Sequence, residues 1–255
     1  MIKDYHRPTT LEEALTYLER PNALPLGGGT LLSQPGPAAV EAVDLQALGL
    51  NRLRKQGDTL EIGATVTLQE LLESPDAPEA LKDALKLEAP LNLRNAATVA
   101  GTLVAADGRS TFATVMLALD AKCTVFDGQY SVISLGDLLP LRVETLRGKI
   151  ITQIEIPLKV KLAFETVART PADKPIVCAA LAGWPFGRMR LALGGYGKAP
   201  LLAMDGVESE GTGPIQTAAR NAFHEATDEW ASAEYRMDVA ATLAKRCLES
   251  IETRQ

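Results

Sequence analysis

Three consecutive glycines, Gly27-Gly28-Gly29, stand between the apolar stretch Leu24–Leu26 and the run Thr30-Leu31-Leu32. Glycine has no Cβ, so its backbone reaches left-handed conformations and lets other atoms approach closely. Successive N–H groups in such a turn can converge on an anion. Leu26 to Thr30 would supply several N–H donors and a hydroxyl. A second stretch, Thr98-Val99-Ala100-Gly101-Thr102, would supply a smaller group of donors with two hydroxyls. A pyrophosphate, two linked charged groups, would suit a pair of such loops. Taken alone, three glycines make a plain turn more often than a ligand site, and neither stretch has the spacing of a dinucleotide fingerprint or a P-loop. In a third cluster, "LGGYGKAP", Lys198 is followed by Ala199 and no glycine sits at the Walker position, so it reads as a structural turn.

Signals for other chemistry are missing. There is no G-x-S-x-G, no H-E-x-x-H and no cysteine–histidine signature, so no catalytic nucleophile or acid–base residue is assigned. His6 and His224 read as surface or packing residues, and Trp184 and Trp230 as core or interface residues. Cys123, Cys178 and Cys247 lie far apart in apolar contexts without a C-x-x-C pair. Buried thiols, rather than a zinc or iron–sulfur site, are expected. The formal net charge of −6 argues against non-specific nucleic-acid binding, which needs clustered Lys and Arg. No run approaches the roughly 20 apolar residues that span a bilayer, so membrane insertion is not expected. The start, "MIKDYHRPTTLEEAL", has no apolar core, which predicts a cytoplasmic chain without a secretory leader.

The elements that must position these loops can be read from periodicity. Thr10 with Glu13 has capping-box spacing, and Leu11, Ala14, Leu15 and Leu18 recur as on a helix. "NALPL" predicts a short strand running into the glycines. "AVDLQAL" and "TLEIGATVTL" predict further strands, the second opening after a turn at Gly57-Asp58. Helices are predicted over Leu68–Glu73 and Pro78–Leu87, and a Gly-centred turn within Pro90–Leu103. "FATVMLALDAKCTVF" reads as a buried helix passing into a strand; "GQYSVISLGDLL" and "GKIITQIEIPL" read as strands with a short helical turn between them. A boundary is placed at Pro157–Lys161, with three strands beyond it (Phe164–Arg169, Ile176–Ala182, Met189–Leu193). Helices over Pro214–His224 and Ser232–Glu249 follow, the last being amphipathic through Val239, Leu243 and Leu248. Mixed strands and helices without a regular βαβ rhythm predict an α+β protein. At 255 residues it would be one large domain or two modest ones.

In this order the landmarks resemble the flavin-binding medium subunit of molybdenum hydroxylases, the type found in carbon monoxide dehydrogenase and xanthine dehydrogenase-like complexes. "PLGGGTLL" is similar to that family's Ala-Gly-Gly-Thr-Asp-Leu, and "LRNAATVAGTL" to its Arg-Asn-x-x-Thr-Ile-Gly-Gly-Asn-Leu. "MLALDA", "IITQIEIP", "RTPADKPIV", "LALGGYGKAP" and "SAEYR" complete the match, which runs from "YHRPTTLEEALTYL" to "SAEYRMDVAATLAKRCL".

The resemblance implies an FAD-binding domain of the PCMH type over residues 1–160, in two α+β subdomains. A smaller α+β domain like the carbon monoxide dehydrogenase flavoprotein C-terminal domain would occupy 161–255. It implies FAD as cofactor and a role as the flavoprotein subunit of an oxidoreductase, passing electrons from partner iron–sulfur clusters to an acceptor. The partners implied are an iron–sulfur small subunit and a large subunit holding the molybdenum cofactor. Carried over by position, the cofactor residues are Gly27, Gly28, Gly29, Thr30, Leu31 and Leu32 in the first loop. Thr98, Val99, Ala100, Gly101 and Thr102 form the second, and Ile151 lies beside the isoalloxazine. Ala100 replaces a glycine, Thr102 an asparagine and Leu31 a polar residue. Thr111 stands where the family has a flavin-contacting carboxylate, and Glu165 where some members have lysine. Arg109 is a further candidate for a phosphate. These departures leave open a degenerate member that serves as a structural subunit with a weakened or lost FAD site.

Overall fold

The computed structural model describes residues 2–34, 39–170, 172–207 and 211–253. Strand β1 (Ile2–His6), helix α1 (Leu11–Leu18) and strand β2 (Ala23–Leu26) lead up to the glycines. Strand β3 (Val40–Asp44) is followed by a 3-10 turn (Gln46–Leu48) and the hairpin β4 (Leu53–Gln56) and β5 (Thr59–Gly63). Helices α2 (Leu68–Glu73), α3 (Glu79–Glu88), α4 (Leu91–Arg94), α5 (Val99–Ala105) and α6 (Thr111–Ala118) come next. Strands β6 (Lys122–Phe126) and β7 (Tyr130–Ser134), helix α7 (Leu135–Thr145) and strand β8 (Ile150–Pro157) follow. The remainder is β9 (Lys161–Val167), β10 (Val177–Gly183), β11 (Arg188–Gly194), β12 (Leu201–Val207), α8 (Gly213–Ala222) and α9 (Ala233–Thr253). By internal packing the chain forms two compact units. One is Met1–Pro75, Pro90–Ala105 and Lys122–Glu155; the other is Asp76–Ala89, Ala106–Ala121 and Ile156–Gln255. Packing therefore interleaves segments that are separate along the chain.

In the first unit β3 lies between β1 and β2, parallel to both. Helix α1 begins where Thr10 Oγ1 accepts the Glu13 N–H (3.2 Å), while the Glu13 carboxylate reaches back to the N–H of Thr9. The cap thus satisfies one free donor of the first turn and the N–H just ahead of the cap, one residue off the usual box. Ala14 and Leu18 of this helix pack on Val43, Leu45 and Ile150. Because β2 and β3 are parallel neighbours, the segments after Leu26 and after Asp44 both leave at the carboxyl end of the sheet. That is where ligands of parallel sheets are bound. A five-stranded sheet, β4-β5-β8-β6-β7, completes the unit.

Two sequence expectations change here. The strand over "TLEIGATVTL" stops at Gly63, where an added Cβ would lie 2.1 Å from the Leu50 carbonyl, and Thr67 already caps α2 in a capping box with Glu70. The Gly-centred turn within Pro90–Leu103 is instead two short helices, with Gly101 inside α5. Thr98 Oγ1 accepts the Gly101 N–H (3.2 Å), the bond an N-cap residue makes to the third helical position. β1, β4 and β12 had no strand assigned from sequence, and α7 is longer than a helical turn, with a kink at Pro140-Leu141.

The second unit is built on the antiparallel sheet β12-β11-β10-β9. β10 reads "VCAALAG" and is buried throughout, as a strand covered on both faces must be. Val177, Ala179 and Leu181 join the core with Ala240, Leu243, Ala244 and Cys247 of α9, while Cys178 faces Thr114 of the wholly buried α6. All three cysteines are free and buried, and burial pushes the thiols of Cys123 and Cys178 up to about 12 and that of Cys247 higher still. A fully buried charge lies in the same unit as Cys178 and Cys247. Arg236 of α9 has no exposed surface; it pairs with Asp228 (2.7 Å) and donates to the carbonyls of Ile176, Ala226, Ala231 and Gly195. Trp230 is not a core residue but is 39% exposed, with the guanidinium of Arg109 4.5 Å and that of Arg169 5.0 Å from its ring centroid. His6 is a packing residue, stacked on Tyr17 with its Nε2 3.2 Å from Glu41, and His224 is exposed.

Candidate functional site

The first unit contains a cleft of about 360 Å³ at the carboxyl end of β2, within the size range of small-molecule sites. Gly27, Gly28, Gly29, Thr30, Leu31 and Leu32 line it, together with Thr98, Ala100, Gly101 and Ile151. The two stretches picked out from sequence as separate loops are therefore neighbours. Their closeness explains the glycines. A Cβ on Gly28 would fall 1.5 Å from the Ala96 carbonyl oxygen, and one on Gly27 2.6 Å from Thr98 Oγ1. A Cβ on Gly101 would lie 2.8 Å from the same hydroxyl, and Gly29 has φ +72°. Glycine is thus required at 27 and 28 so that one segment can seat on the other, and at 29 for its backbone conformation.

The donors divide unequally between the two stretches. Among the described residues, no acceptor takes the main-chain N–H of Gly27, Gly28, Gly29 or Thr30. In the second stretch the N–H groups of Val99, Ala100 and Thr102 go to Val66, Ala64 and Thr98 carbonyls, and that of Gly101 to Thr98 Oγ1. The Thr102 hydroxyl donates to the Thr98 carbonyl. Only the Thr98 hydroxyl keeps its own hydrogen to offer. The second stretch is a wall with one donor, whereas the first is a set of unclaimed donors.

Val99, Thr102 and Thr111 do not line the cleft. Val99 is buried in α5. Thr111 belongs to the other unit, where its hydroxyl donates to the Ala84 carbonyl (2.8 Å) and lies 3.1 Å from the Glu88 carboxylate. Arg109, in that unit too, spends its guanidinium on the Pro175 and Lys174 carbonyls. Glu165 is half-buried in β9.

Several contributors carried no sequence signal. Gln46, in a segment read as strand, donates from Nε2 to the Gly27 carbonyl (3.0 Å). Its own N–H is held by buried Asp44 (2.9 Å), which also takes the Tyr5 hydroxyl, so the turn after β3 anchors the loop after β2. Lys149 brings the one cation of the described lining, and its ammonium, 3.1 Å from Asp127, holds that carboxyl below the usual range. Thr65 lines the cleft inside an apolar run that gave no reason to single it out.

Free amides, hydroxyls and one ammonium, with no carboxylate among the described lining residues, make the polar part of the cleft a donor surface for an anion. Leu24, Leu26, Leu45, Val104, Leu146, Ile150 and Ile151 make the rest apolar. An amphipathic ligand with a phosphate and a flat apolar body fits this chemistry, and FAD is such a ligand. Among the described residues no group of side chains is arranged to hold a metal ion, and no helix is long and apolar enough to cross a membrane.

Comparison with known proteins agrees with this fit. Over 250 residues the chain is 30% identical to the uncharacterized protein YgfM of Escherichia coli (strain K12), covering 95% of this chain and 94% of that one. It is 26% identical over 275 residues to the glyceraldehyde dehydrogenase medium chain of Sulfolobus acidocaldarius, covering 97% of each. Its fold is similar to that of a chain of the reconstituted CO dehydrogenase from Oligotropha carboxidovorans, with a TM-score of 0.84 at 22% identity and coverage of 99% and 98%. Residues 1–159 match the family described as the FAD binding domain in molybdopterin dehydrogenase, and the chain belongs to that family.

Proposed function

We propose that this chain is the FAD-binding, electron-transferring medium subunit of a molybdenum hydroxylase-type oxidoreductase complex. The observation that carries the proposal is the loop Gly27–Thr30. Among the described residues nothing takes its amides, its position is locked by contact with Ala96 and Thr98, and it opens into a largely apolar cleft. In this reading those amides and the Thr98 hydroxyl hold the diphosphate, Gln46 fixes the loop, and Ile151 lies against the ring system and keeps water from it. Bound FAD would supply the redox chemistry, taking electrons from iron–sulfur clusters of a small partner subunit and passing them to an acceptor. Substrate oxidation would belong to a large partner subunit with the molybdenum cofactor, so the chain works within a complex, in the cytoplasm. Residues 1–160 form the FAD-binding domain with two subdomains and 161–255 the C-terminal domain, with α3 and α6 as the former's share of the second packing unit.

A second reading has its own support. The amides of the second stretch are spent internally, and Thr111 is turned to Ala84 and Glu88. A structural subunit that has lost its flavin site would tolerate both. An absorption spectrum of the purified chain, before and after incubation with excess FAD, separates the two. Flavin bands that persist through gel filtration are expected; a colourless protein after reconstitution leaves the structural subunit.

A further inference from the structure

Thr65 occupies the short segment between β5 and α2, where the main-chain groups on either side of it are engaged. Ala64 N–H donates to Thr152, Thr65 N–H to Leu50 and Val66 N–H to Gly63, while the Ala64 and Val66 carbonyls receive Ala100 and Val99. The backbone of Thr65 is therefore held from several sides at once. The residue is 3% exposed and is part of the cleft lining, yet among the described residues its Oγ1 has no hydrogen-bond partner. A buried hydroxyl without a partner is destabilising, and such groups are few in folded proteins. The cleft is the place from which a partner can come. Its other polar lining groups, among them Thr30, Thr98, Lys149 and the Gly27–Thr30 amides, present hydrogens, and no lining carboxylate among the described residues could receive one from Thr65.

We propose that Thr65 is a second hydroxyl donor of the cleft and that it meets a phosphoryl oxygen of a bound diphosphate. The inference rests on reading the cleft as the FAD site and adds its selectivity. Thr65 would favour a diphosphate-bearing nucleotide over an unphosphorylated flavin, by an interaction that the empty protein lacks.

The test uses the full chain freed of flavin, as wild type, Thr65→Val and Thr65→Ser, titrated with FAD, ADP and riboflavin. Valine keeps the shape and removes the hydroxyl. It should weaken FAD and ADP by about tenfold each, the loss of one hydrogen bond to a charged group, and leave riboflavin unchanged. Serine should restore most of the affinity. The empty Thr65→Val protein should melt at the same temperature or ~2–4 °C higher, because an unpaired buried hydroxyl has been removed. Stability and affinity moving in opposite directions is what a merely structural threonine would not produce. Thr65→Val binding FAD and ADP as wild type does would overturn the assignment, as would an equal loss for riboflavin. Wild type that binds ADP but not FAD would sink the FAD reading and leave Thr65 to be judged on the ADP arm. Wild type that binds none of the three would remove both.

Discussion

Gly27-Gly28-Gly29 and the turn from Gly194 to Gly197 both leave the end of a strand, β2 in one case and β11 in the other. Both depend on the missing Cβ. A side chain on Gly28 would strike the Ala96 carbonyl, and one on Gly195 would lie 2.1 Å from the Ile176 carbonyl. Their hydrogen bonds differ. Gly195 N–H donates to Gly108 (2.6 Å), Gly108 N–H donates to Gly197 (2.9 Å), and the Gly195 carbonyl receives Arg236 (3.4 Å). That turn is closed off by its bonds to Gly108 and Arg236. In the first turn the bond to Gln46 uses only a carbonyl, and among the described residues nothing takes the amides. The lesson is that glycine content does not mark a ligand site; a rigid loop with unspent donors does.

The contrast can be broken most severely at Gly28. Gly28→Val should abolish FAD uptake in an absorbance titration and lower the melting temperature, because the new side chain must push the loop off Ala96. A variant that took up FAD normally would remove this loop from the site. On the closed turn, Arg236→Met should lower folding stability by about 3 kcal/mol, read from a urea midpoint. It leaves Asp228 without its counter-charge and several carbonyls without this donor. Burial alone would raise the Asp228 pKa, but the bonds from Arg236 and from the N–H groups of Trp230 and Ala231 outweigh it and hold it below the ordinary carboxylate range. Its stabilisation is complete above the ordinary carboxylate value and fades as pH falls through the lowered one. The variant should therefore show a flatter acid limb, and an unchanged limb would deny the coupling. The smallest effect is expected at Gln46→Ala, which frees the Gly27 carbonyl at an exposed position. FAD should bind roughly fivefold more weakly with little change in melting temperature, about one hydrogen bond's worth. Equal affinity would show that contact with Ala96 and Thr98 alone holds the loop.

Much of the fold was legible where one periodicity dominated. Leu68–Glu73 appears as read, and "FATVMLALDAKCTVF" is a buried helix followed by a strand. Failures came where local signals conflict with long-range pairing. β4 reads "LRKQ", too polar to suggest a strand, and is defined by its partner β5. Gly101 suggested a turn, yet Thr98 caps a helix through it. At the candidate site the glycines were legible through their order relative to "LRNAATVAGTL" and "MLALDA", because alone they read as a plain turn. Thr65 and Gln46 were not, because a single Thr or Gln gains its meaning only from which carbonyls its neighbours have already claimed.

The buried cysteines have a practical consequence. A thiol reagent reacts with thiolate, and all three thiols are both shielded and held protonated at neutral pH. In the native state the chain should be silent to maleimides, and any labelling must report opening of the segment that carries the cysteine. Cys123 in β6 watches the first unit, while Cys178 in β10 and Cys247 in α9 watch the second. The wild-type sequence thus contains its own stopwatch for local unfolding, with a separate hand for each unit.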